Sequence, residues 1–97
     1  MTAFADMDAA EPILGYTTDF EGITFQVSSG GCTSAQSFRP VLRETSPAQL
    51  VLNRVKPDFC EAYFPYGTTV KFTWQQLGLR QGSKVVVGNL VREIQVR

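Results

Sequence analysis

The side chains with the most chemistry to offer are Cys32 and Cys60, 28 positions apart and the only thiols in the chain. Two thiols cannot complete a four-ligand zinc site in a chain that contains no histidine. Two fates remain: buried free thiols in a reducing compartment, or a disulfide in an oxidising one. Turn-forming residues precede each cysteine, Gly30-Gly31 before the first and Pro57-Asp58 before the second, so a bridge there would pin two loop ends. This arrangement favours the bridge, which would stabilise the domain by about 3.5 kcal/mol through loop closure. A bridge in turn implies the periplasm or the cell exterior, with the cytoplasm as the alternative. The triplet Ala3-Phe4-Ala5 also has the small-x-small form that precedes signal-peptidase cleavage.

The missing histidine removes the commonest general acid or base, so Ser-His-Asp and Cys-His arrangements cannot be assembled. Cys32 has no histidine to activate it and has Cys60 available to oxidise it. The carboxylate pairs Asp19/Glu21 and Asp58/Glu61 fall in turns and loops, where solvated acids are the default. Asp6-x-Asp8 lacks the glycine and distal glutamate of a calcium loop. Gly30-Gly31-Cys32-Thr33-Ser34 lacks the Gly-Lys-Ser/Thr ending of a phosphate loop. The sequence therefore predicts no catalytic residue, no metal and no cofactor, and a protein that is not an enzyme.

Two regions are suited to binding instead. The segment Phe59-Cys60-Glu61-Ala62-Tyr63-Phe64-Pro65-Tyr66-Gly67 reads as a loop, yet it carries four aromatic rings, Phe59, Tyr63, Phe64 and Tyr66. Some of these rings are expected to seal an open end of the core. Tyr63 and Tyr66 are the best candidates for contacts with a protein or small-ligand partner. Arg39, Arg43, Arg54 and Lys56 form the second region, a basic ladder that a hairpin about Ser46-Pro47 would gather on neighbouring strands. Such a ladder resembles a single-strand nucleic-acid groove, but no aromatic is spaced regularly within it, and charges also protect sheet edges. The edge reading is preferred, and nucleic acid is not the expected partner.

The formal charge is zero but uneven: residues 1–31 hold five acids and no Lys or Arg, while the rest holds nine basic residues against four acids. Folding is expected to bring the two parts together and cancel most of the field. No stretch approaches the ~18 consecutive apolar residues of a transmembrane helix.

Strands must position all of these residues. Ile23, Phe25 and Val27 alternate with Thr24, Gln26 and Ser28, which describes a half-buried strand. Val70, Phe72 and Trp74 alternate with Lys71 and Thr73 in the same way, with Trp74 as a core anchor. Leu50 to Val55 is apolar on both faces and therefore central. Pro40 removes a backbone donor from Phe38–Glu44 and demotes that strand to an edge or a bulged position. Pro12–Tyr16 and Lys84–Val87 add weaker strands, and Gly88-Asn89 reads as a hairpin turn into Leu90–Val96, with one long bulged strand running to the carboxyl terminus as the alternative. Thr73 and Gln76 have capping-box spacing, which predicts one helical turn near residues 74–77 that Gly78 ends. The expectation is an all-β fold, a small antiparallel β-sandwich of the immunoglobulin-like kind with six or seven strands. A five-stranded oligonucleotide-binding barrel is the alternative. Residues 1–11 read as a flexible acidic tail and 12–97 as a single domain.

Overall fold

A computed structural model of the chain describes residues 10–45 and 47–92. Ala3-Phe4-Ala5, Asp6-x-Asp8, Ser46 and the end of the expected Leu90–Val96 strand lie outside the described residues.

The alternating segments become six strands: β1 (Ile13–Thr18), β2 (Gly22–Val27), β3 (Phe38–Arg43), β4 (Ala48–Arg54), β5 (Thr68–Thr73) and β6 (Val85–Val87). They form two three-stranded sheets, ordered β1-β2-β5 and β3-β4-β6. The fold is all-β, with a single 3-10 turn at Ala35–Ser37 as its only helical element among the described residues. That turn was not expected from the sequence.

Register explains which faces are buried. Ile23, Phe25 and Val27 of β2 stand opposite Phe72, Val70 and Thr68 of β5, so their side chains share one face. Across the core, Leu50 and Leu52 of β4 are fully buried and Phe38 of β3 nearly so. Trp74 fills one end of this core with no exposed surface, and its indole Nε1 donates to the Asp19 carbonyl at 3.0 Å. That bond meets the polar requirement of a buried indole. Beyond Trp74, the Gln76 amide N–H donates to Thr73 Oγ1 while Gln76 Oε1 accepts from the Thr73 N–H. The chain then turns at Gly78, whose φ of +75° favours glycine.

Two expectations need correction. The pairings β1–β2, β2–β5 and β3–β4 are antiparallel, but β6 runs parallel to β4, so the body is not a purely antiparallel one. Gly88-Asn89 makes no hairpin. The chain continues past β6, and Val91 forms a parallel bridge to Ile13 in the other sheet. The Asn89 side chain makes that continuation possible. Its Oδ1 accepts from the Leu52 N–H, and its Nδ2 donates to the carbonyls of Leu52 and Glu11. The amide thus stands in for a peptide unit where β4 lacks a strand neighbour.

Ala10 bridges Asn53, and the Glu11 N–H donates to the Leu52 carbonyl, so both residues are docked on β4. The Glu11 carboxylate also pairs with the Arg54 guanidinium at 2.8 Å. Ordered contacts therefore begin at Ala10 among the described residues. Together with the Asp19–Lys71 pair, this contact joins the acidic first third to the basic remainder, as the charge distribution predicts.

Candidate functional site

Cys32 and Cys60 are joined in a disulfide, their Cα atoms 5.7 Å apart. The bridge ties the loop after β2 to the long connection between β4 and β5. Asp58 reinforces the same junction. Its Oδ2 accepts from the Gly30 N–H at 2.8 Å, the Cys32 N–H at 3.0 Å and the Thr33 hydroxyl at 2.6 Å, while Oδ1 accepts from the Cys60 N–H at 2.9 Å. The Thr33 hydroxyl does most to hold the Asp58 carboxyl well below its ordinary range, followed by the three backbone donors and opposed only by partial desolvation.

Of the two glycines before Cys32, only Gly31 uses positive φ. Gly30 serves close approach, because a Cβ there would fall on the Cys60 carbonyl oxygen. The Ala62 N–H donates to the Gly30 carbonyl at 2.8 Å, which extends the junction toward the aromatic segment.

That segment has no regular secondary structure between Lys56 and Pro65. Its rings do not seal the core: Phe59 is 86% exposed, Tyr63 85%, Tyr66 55% and Phe64 48%. The far end of the loop is fixed as well. The Tyr66 carbonyl accepts from Gln26 Nε2, and the Gly67 N–H donates to the Phe64 carbonyl. The structure therefore presents four aromatic side chains on a backbone anchored at both ends.

The four basic residues are divided. Arg39 and Arg43 project from the outer face of the β3-β4-β6 sheet, opposite Asn53 and Gln49 in register. Arg54 lies across from Phe38 on the other face, its guanidinium 4.6 Å from that ring centroid and bonded to Glu11, Thr33 Oγ1 and the Ser28 carbonyl. It is an internal clamp. Lys56 follows on the exposed chain beyond β4.

Sequence reasoning missed two further features. Asp58 was indistinguishable from a solvated loop acid, although an Asx-turn to Cys60 was available as a local signal. A trough of about 460 Å³ on the outer face of the second sheet was also missed. Val41, Arg43, Gln49, Val51 and Asn53 form its floor, with segments around Pro12 and Leu90 at its sides. Its residues converge only once the β3–β4 register is known.

The ligand atoms of Cys32, Asp58 and Cys60 lie within 4.8 Å of one another. The sulfurs are bonded to each other, and the carboxylate oxygens already accept N–H and O–H donors, so the group is suited to fastening loops. No helix among the described residues is long and apolar enough to cross a membrane. Compared with models of protein families, with curated proteins and with solved structures, the chain matches none.

Proposed function

We propose that this chain is an exported, non-catalytic β-sandwich that binds a protein or small-ligand partner through the loop Phe59–Gly67. One observation carries the reading: four exposed aromatic rings sit on a backbone fastened by a disulfide, by Asp58 and by Gln26. Exposed aromatics on a mobile loop would lose much of their binding energy to ordering, and anchorage reduces that cost. Tyr and Phe bring large contact area with few rotatable bonds.

The immunoglobulin-like assignment belongs to the same proposal. The order β1-β2-β5 in one sheet supports it, and the parallel β4–β6 pair is the departure a true member would have to accommodate. Export rests on the disulfide, since such bonds persist in oxidising compartments. The competing reading, a cytosolic nucleic-acid-binding barrel, is weakened because Arg54 and Lys71 are paired with Glu11 and Asp19.

Site-specific photo-cross-linking in the native host tests the loop. A photoreactive residue at Tyr63 should give a defined adduct that disappears when Phe59→Ala is added, while one at Gln75, beyond the opposite end of β5, should not. Equal labelling at both positions, or none at Tyr63, would overturn the proposal. Salt-sensitive oligonucleotide binding would favour the competitor instead.

A further inference from the structure

The trough on the outer face of the β3-β4-β6 sheet combines features that a bare sheet face does not have. Arg43 and Gln49, a cross-strand pair, provide a cation and an amide at one end, and Arg43 makes no ion pair among the described residues. Val41 and Val51, the next cross-strand pair on the same outer face, line the middle, with Leu90 and Pro12 on the walls. Asn53 lies at the other end. Its side chain is more than nine-tenths buried, and its Oδ1 meets no donor among the described residues.

A buried acceptor without a partner in a polar-ended cleft marks a place where a donor can be supplied from outside. Residues 49 and 53 are four positions apart along one strand, roughly 13 Å at 3.3 Å per residue. The chemistry is therefore linear: cation, apolar middle, unsatisfied acceptor.

We propose that this trough binds an elongated aliphatic carboxylate that carries a hydroxyl at its far end. The carboxylate pairs with Arg43 and accepts from Gln49, the methylene chain lies on Val41, Val51 and Leu90, and the hydroxyl donates to Asn53 Oδ1. The terminal amide of Asn53 rotates in a broad two-fold well, which lets Oδ1 turn to meet the incoming donor. The site lies on a sheet face and does not depend on the aromatic-loop reading.

Amide-resolved NMR titration of the full chain with 10-hydroxydecanoate, kept below its aggregation concentration, tests the assignment. Saturable shifts are expected at Val41, Val51, Gly88 and Leu90. Decane-1,10-diol, which lacks the carboxylate, should bind about tenfold more weakly, and decanoate, which lacks the hydroxyl, several-fold more weakly. Arg43→Met, at an exposed position whose loss should leave folding intact, should weaken 10-hydroxydecanoate by about tenfold. The absence of saturable shifts at millimolar ligand, shifts centred on Phe59–Gly67, or unchanged affinity in Arg43→Met would each overturn it.

Discussion

Replacing Asn89 should be the most damaging polar substitution in the second sheet. Its side chain makes three hydrogen bonds to backbone groups, at 2.8 Å from the Leu52 N–H, 2.8 Å to the Leu52 carbonyl and 2.7 Å to the Glu11 carbonyl. Asn89→Ala removes all three and strands the Leu52 N–H, at the centre of β4, and the Glu11 carbonyl, while the Leu52 carbonyl keeps only the Glu11 N–H. At about 1 kcal/mol per bond, with further cost for groups left dry, the loss should be about 3 to 4 kcal/mol. That is a large share of the 5 to 15 kcal/mol typical of a small domain. With a urea slope of about 1 to 1.5 kcal/mol/M, the unfolding midpoint should fall by roughly 2 to 3 M. Asn89→Asp sharpens the test. The ionised side chain still accepts from the Leu52 N–H but places charge against two carbonyl oxygens. It should be at least as destabilising at neutral pH and should recover in part at pH values near 4, where a protonated carboxyl can donate. A midpoint shift of less than about 0.5 M for both variants would refute the claim that this amide completes the sheet.

Other perturbations should report on separate parts of the structure. Cys32→Ser with Cys60→Ser should cost about 3.5 kcal/mol by denaturant titration, because a loop of this size regains its closure entropy in the unfolded chain. The folded-state pKa of Asp58 is depressed, so its contribution to stability is complete above the ordinary value of 3.8 and is lost as pH falls below it. The thermal midpoint should therefore drop on acidification through that range, and Asp58→Asn should flatten the slope. The remainder should come from Asp19, lowered chiefly by the Gly22 N–H, then by the Glu21 N–H and Lys71. Arg54→Met should destabilise by about 2 to 3 kcal/mol in urea unfolding, since it strands a Glu11 side chain that is only 12% exposed, and adding Glu11→Gln should recover part of the loss. Tyr63→Ala should leave the unfolding free energy within about 0.5 kcal/mol of the parent in urea titration, as expected for a ring outside the core.

Where period-two alternation was strong, the sequence was sufficient to find the elements. Ile23, Phe25 and Val27 declared β2, and Pro40 declared that β3 lies at an edge, which is where it pairs. The Thr73–Gln76 spacing foretold the reciprocal hydrogen bonds because both partners of that motif are local, although residues 74–78 close as a plain turn and not as the expected helical one. What escaped was non-local. Gly88-Asn89 carries a strong hairpin signal, but the Asn89 amide finds better partners on Leu52 and Glu11, 37 and 78 positions away. No local pattern encodes that choice. Phe59, Tyr63, Phe64 and Tyr66 could be recognised as an unusual loop, yet whether those rings faced the core depended on how the Cys32 and Cys60 loops docked. The trough is a product of β3–β4 register, and two strands read separately could not reveal it.

The parallel contact between Ile13 and Val91 has a mechanical consequence. The Ile13 N–H donates to the Leu90 carbonyl and the Arg92 N–H to the Ile13 carbonyl, so the first strand and the last described stretch lie side by side and point the same way. Tension between the two ends of such a chain slides these segments past each other, loading both hydrogen bonds together, whereas antiparallel neighbours would unzip one bond at a time. A chain held in this geometry resists stretching by shear.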